Sequence, residues 1–365
     1  GHSGKRPVKL DEAIDRGLDW LGEYFTVKRN PLGSIHHWKY YWLYSCERVG
    51  LAAGIKYFDE HDWYREGAEE VVDTQRPNGS WSDNIPRTAY AICFLAKGRA
   101  PILLNKLKHR GEWNNHPRDA ANLTRHVGRL KEQPFQWQVV SLKVPVPEMH
   151  DAPILYITAE RPPEFSDEEK RKLREFTDSG GTILFESSCG NRNVTAHWQR
   201  VVREVWPEWE LKRLPPERPV YSSDLKMKRV ILGLQGMHDG VRTILFFSPL
   251  DLSCAWNTMA VLKNRKAFDL VNNLYVYASD RRALRARLAE TRGGPGKQYA
   301  TEQISPGARR SLRVARVKHA GDWYVGRNYR PLRRFAERLR DTSEPDESMR
   351  ELREHAELPV DESGG

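Results

Sequence analysis

The chain has 365 residues, 39% hydrophobic and 10% aromatic, which suits ordinary packed cores and predicts two or three domains. No apolar run approaches the ~20 residues of a membrane span, and no apolar signal-peptide core opens the chain, which begins Gly-His-Ser-Gly and reads as an excised piece. The net charge of +10 is concentrated in residues 281–340, which hold seventeen Lys/Arg against four Asp/Glu. Aromatic residues are sparse there, so a solvated helix face or linker is favoured over a nucleic-acid surface.

Residues 8–100 read as all-helical. Leu10, Ile14, Leu18 and Leu21 recur at helical spacing, and Trp38–Ala53 forms an aromatic helix that Gly54 can terminate. A third helix spans Asp62–Thr74, with Asp62 suited to cap it. The turn Gln75-Arg-Pro-Asn-Gly79-Ser80-Trp81 follows, and a fourth helix begins near Thr88 and ends at Gly98 and Pro101.

Residues 105–280 read as an α/β unit. Trp137–Val144 alternates as an outer strand would, whereas Pro153–Thr158, Thr182–Phe185 and Thr243–Phe247 are unbroken apolar runs suited to strands buried on both faces. Arg229–Gln235 is a further strand. Ser166-Asp-Glu-Glu169 predicts a capping box, Gly180-Gly181 a turn, Asn193 the cap of a helix carrying Trp198, Val201 and Val202, and Asn264–Ser279 a closing helix. Residues 281–311 are a basic, Gly- and Pro-containing linker. Leu107-Lys108-His109-Arg-Gly111-Glu112-Trp113 returns as Val317-Lys318-His319-Ala-Gly321-Asp322-Trp323, so residues 312–365 read as the truncated start of a second copy. In both copies Trp is expected to pack under a sheet.

The Gln75, Gly79 and Trp81 pattern resembles the QW motif of terpenoid cyclases and protein prenyltransferases, which implies a partial α/α toroid over residues 8–100. The aspartates and zinc ligands of those enzymes have no counterpart here, and His36, His37, His61 and Asp62 are the local candidates. Residues 105–280 resemble the bacterial domain of unknown function 4159. The motifs that carry this are Lys108-His109-x-Gly111-Glu112-Trp113, Gly180-Gly181-Thr-Ile-Leu-Phe-Glu186, Ser188-Cys189-Gly190 and Ser248-Pro-Leu-Asp251-Leu-Ser253-Cys254-Ala-Trp256. That resemblance implies a flavodoxin-like, glutamine-amidotransferase-like three-layer fold. The arrangement of a toroid followed by this domain looks like a type of large planctomycete-like bacterial protein, and the compartment, cytoplasmic or periplasmic, stays open.

In such sheets ligands sit beyond the carboxyl ends of the strands. Thr158, Glu160, Ser188, Gly190, Ser248, Asp251 and Cys254 are expected to line one crevice there. Cys189 is the candidate nucleophile, with Glu186 or His197 to assist. The related enzymes use Gly-x-Cys-x-Gly and a downstream His-x-Glu. Here Ser187 and Asn191 stand in place of the glycines, and neither His197 nor His238 has Glu two residues on.

Cys46, Cys93, Cys189 and Cys254 have no CxxC spacing and read as free thiols, so no metal site or cofactor is expected of them. Three functions remain open. One is a non-catalytic scaffold that binds a small polar ligand or a protein partner. The second is a Cys189-dependent hydrolase or amidase, and the third is an isoprenoid-binding toroid lined by Trp38–Tyr44. Self-association through an apolar toroid edge is compatible with each.

Overall fold

A computed structural model describes residues 8–31, 38–227 and 233–279, which fall in one compact unit. The basic linker, the second copy, and His36 and His37 lie outside the described residues, as does most of the strand expected at 229–235.

The first four helices are α1 (Val8–Tyr24), α2 (Lys39–Ala53), α3 (Trp63–Asp73) and α4 (Ile85–Gly98). They surround a core of Leu43, Cys46, Trp63, Tyr64, Val71 and Phe94. A two-stranded antiparallel ribbon, β1 (Tyr57–Phe58) and β2 (His61–Asp62), leads into α3, and Asp62 caps that helix by accepting from the Arg65 amide. Gly54 ends α2 in the left-handed region at φ 66°, as its position after the aromatic helix suggests. Trp81 donates its indole N–H to the Val71 carbonyl, and the Gln75 amide donates to Gly79 O at 3.0 Å. The turn is thereby tied back to the end of α3, with Gly79 at φ 83°. The aromatic residues at the start of α2 differ in exposure: Tyr40 and Trp42 are buried, while Tyr41 and the preceding Trp38 are exposed.

The rest of the unit is a mixed α/β sheet of seven strands. In chain order its elements are β3 (Ile102–Lys108), α5 (Asp119–Leu130), β4 (Gln136–Ser141), α6 (Val146–Met149), β5 (Ile154–Ala159), α7 (Asp167–Asp178), β6 (Thr182–Ser187), α8 (Arg192–Val205), β7 (Leu211–Arg213), β8 (Gln235–His238), β9 (Thr243–Ser248), α9 (Ser253–Asn257) and α10 (Val261–Ala278). The sheet order is β4-β3-β5-β6-β9-β8-β7. The first five strands are parallel, and β8 and β7 add an antiparallel edge.

Side chains alternate across the central strands, as a pleated strand requires. Tyr156, Leu184 and Phe246 face α5, α9 and α10, while Ile183, Phe185, Leu245 and Phe247 face α7 and α8. Both faces are covered, which is why these strands read as unbroken apolar runs. The capping box at Ser166 forms as expected. The cap of α8 is Asn191, not Asn193: the Asn191 side chain accepts from the Asn193 amide.

The helical part covers an edge of the sheet. Ile55 makes a parallel bridge to Val139 on β4, and Val139 N–H donates to Gly54 O at 2.6 Å. Lys56, 5% exposed, reaches Asp151 at 2.7 Å and Glu148 at 3.2 Å.

Candidate functional site

The parallel strands turn into loops at their carboxyl ends, and Glu186 on β6 forms the floor of that region. It faces the same side as Leu184 and is fully buried. Its Oε1 accepts from the Tyr156 hydroxyl at 2.9 Å and from Thr158 Oγ1 at 2.8 Å. Its Oε2 accepts the amides of Leu252 and Ser253 at 2.5 and 3.0 Å, holding the loop that starts α9. Burial pushes this carboxyl up to about 7, and the charge of Asp251 pushes in the same direction. The Tyr156 hydroxyl also lies 3.2 Å from Asp119 Oδ2. The one phenolic proton thus lies between two carboxyl groups, with the shorter contact to Glu186.

Asp119 pairs with Lys106, each 1% exposed at the side chain, at 2.7 Å. The Lys106 ammonium also donates to Asn114 Oδ1 at 2.9 Å and to the His116 carbonyl at 3.3 Å. Its three protons therefore have three acceptors, and the loop after β3 is anchored to the strand beneath it. Trp113 lies over this ammonium, 5.8 Å from ring centroid to nitrogen. It sits half-buried on the loop, not under the sheet as its motif suggested. The ring nitrogens of His109 lie 2.8 Å from the Arg110 carbonyl and 2.9 Å from the Thr158 carbonyl. Gly111 supplies a positive φ of 91° in the same loop.

Above this floor three loops meet at Asp251. The Cys189 amide donates to its Oδ2 at 2.9 Å. The Cys254 amide and the Ser253 hydroxyl donate to its Oδ1 at 2.8 and 3.0 Å. Ser253 Oγ is also 2.8 Å from His116 Nδ1. Among the described residues, His116, Asp251 and Cys254 place one donor atom each within 4.8 Å of one another.

Cys189 occupies a sharp elbow after β6, at φ 56° and ψ 12°, a left-handed conformation that costs a non-glycine residue energy. Its thiol is raised by partial burial first, then by the carboxylates of Asp251 and Glu160. His197 is not brought to it: Nε2 of His197 lies 2.7 Å from the Pro163 carbonyl. The four hydrogen bonds of Glu186 go to Tyr156, Thr158, Leu252 and Ser253.

The expected crevice residues divide by depth. Thr158, Ser188 and Ser248 are at most 2% exposed, so they underlie the surface. Glu160 and Asp251 are half-buried, and Cys189, Gly190 and Cys254 are exposed. Sequence reading missed Lys106, Asp119, Tyr156, His116 and Ser253. Only Ser253, within the quoted Ser248–Trp256 motif, and Tyr156, within an apolar run, carried any signal.

Residues 103–278 match the family model of the Domain of unknown function (DUF4159). The match begins one residue into β3 and ends with α10, so the matched region takes in all of the seven-stranded sheet but Ile102, together with the buried Glu186 row and the Asp251 cluster. No curated protein matches the chain.

Proposed function

We propose that this chain is a binding module. Its α/β part is a flavodoxin-like, amidotransferase-like domain that holds a small polar ligand or a partner loop beyond the strand ends. The helices before it are a piece of a toroid-like scaffold. Supporting the fold reading is the order of the parallel strands, which counted along the domain is 2-1-3-4-5, the flavodoxin-type winding. Supporting the scaffold reading are the Gln75 and Trp81 bonds that stitch the turn to α3.

The observation that carries binding over catalysis is the company Cys189 keeps. Asp251 accepts its backbone amide, Glu160 is its other acidic neighbour, and among the described residues no imidazole hydrogen-bonds its sulfur. A nucleophilic thiol needs the opposite setting, with a base within reach and local positive charge. One feature favours the second reading, a Cys189-dependent amidase: the left-handed elbow is the backbone that exposes a nucleophile at a strand-to-helix turn.

Alkylation rates against pH on chelator-treated protein separate the two. Binding without catalysis requires Cys189 to alkylate no faster at pH 7 than the exposed Cys254. Rapid alkylation of Cys189 alone near neutral pH would overturn it in favour of the amidase.

A further inference from the structure

We propose that the ligand of this crevice is a borderline-soft divalent cation of the zinc class, held by His116, Asp251 and Cys254. This deepens the binding reading above and rests on it. The three side chains come from segments far apart in sequence, His116 from the loop after β3, Asp251 from the loop after β9 and Cys254 from the first turn of α9, yet their donor atoms lie within 4.8 Å of one another. Metal–ligand bonds of about 2.0–2.3 Å bring ligand atoms to within about 3.3–3.8 Å, so closure asks for roughly 1 Å of side-chain movement. Cys254 is exposed and free to make it.

The chemistry of the donors points to the metal. A thiolate, an imidazole and a carboxylate together suit zinc and its neighbours, whereas magnesium and calcium ask for oxygen alone. Three protein ligands leave a fourth tetrahedral position, and the exposed side of Cys254 opens it to solvent or to a bound group.

The surrounding shell is already built. Ser253 Oγ sits 2.8 Å from His116 Nδ1 and 3.0 Å from Asp251 Oδ1, so one hydroxyl orients two ligands. Three donors occupy Asp251, which leaves a carboxylate lone pair for a metal. Lys106 grips the His116 carbonyl from beneath, and Glu186 grips the amides of Leu252 and Ser253. Ligands fixed by outer hydrogen bonds in this way are the usual companions of a metal site.

Cobalt(II) titration of the chelator-treated full chain tests this, with circular dichroism to confirm folding. A thiolate-to-cobalt absorption band should saturate at one equivalent and disappear on adding zinc. Cys254→Ser and His116→Ala should abolish it, whereas Cys93→Ser should keep it. Ser253→Ala, which removes no ligand, should weaken affinity by about 10–100-fold. Cobalt on stray histidines alone gives no thiolate band, so absence of the band, or its survival in Cys254→Ser, overturns the proposal. If cobalt fails while Cys189 stays slow to alkylate, only the cation is lost. If Cys189 alkylates rapidly, the binding reading itself falls.

Discussion

Burial raises two glutamates alike, although Glu186 has hydrogen-bond partners and Glu47, among the described residues, has none. Glu47 on α2 is fully buried, neither carboxylate oxygen has a hydrogen-bond partner, and burial pushes it from 4.5 up to about 7. A carboxyl raised on folding binds its proton more tightly in the native state. Its contribution to stability is therefore full below about pH 4.5 and is lost as the pH rises through about 7. Glu47→Gln should flatten that decline and raise stability at pH 8 by about 2 kcal/mol, read from urea unfolding at several pH values. A steeper decline in the variant would contradict the assignment. Glu186 carries the same sign but has four donors. Glu186→Gln turns an NH2 toward groups that already donate, so it should cost about 1–3 kcal/mol at pH 6. At Cys189 the backbone governs. Cys189→Gly should be neutral or stabilising by up to about 1 kcal/mol, and Cys189→Val should cost about 1–2 kcal/mol, because only glycine accepts φ 56° without strain. Equal thermal shifts for the two variants would show that the elbow stores no strain.

At the scale of elements, the legible features were those whose cause is local. The apolar runs of β5, β6 and β9 announce strands because both faces are covered, and the Ser166 box announces α7 because its two bonds are made within four residues. Ser166→Ala should lower stability by about 1 kcal/mol, and Asn191→Ala by a similar amount. Asn191→Ala should also change the alkylation rate of Cys189, since Asn191 ties the elbow to the Glu160 carbonyl at 2.9 Å, an effect Ser166→Ala should lack. The central strand β3 was hidden for a physical reason. Asn105 and Lys106 interrupt its apolar pattern, and their burial is sustained by partners 8 to 44 residues away, among them Asn114, Asp119, the His116 carbonyl and the Met149 carbonyl. His116 was equally silent: nothing near position 116 indicates that Ser253 and Asp251 will meet it. Candidate residues chosen from strand ends differ in depth, because a single sequence places Thr158 and Ser248 on strands without showing what buries them.

At the scale of the molecule, the helical part and the sheet share a seam. Gly54 is its pivot: at φ 66° it ends α2, its carbonyl receives Val139 N–H, and a Cβ there would fall 2.6 Å from the Trp137 ring. Gly54→Ala should cost about 2 kcal/mol, through left-handed strain and the displaced indole together. Removing residues 1–98 bares the outer edge of β4, and unpaired strand edges recruit other chains, so the shortened protein should elute as oligomers in light-scattering chromatography. A monomer would show that the edge protects itself. The same seam separates two notions of a unit. Family resemblance begins at residue 103, inside β3, while the contacts that cover the sheet's flank come from residues 54–56. Family match and packing thus draw different borders on this chain. Calorimetry should register one endotherm for both architectures, with the recognisable domain melting only in company with helices that its family signature omits.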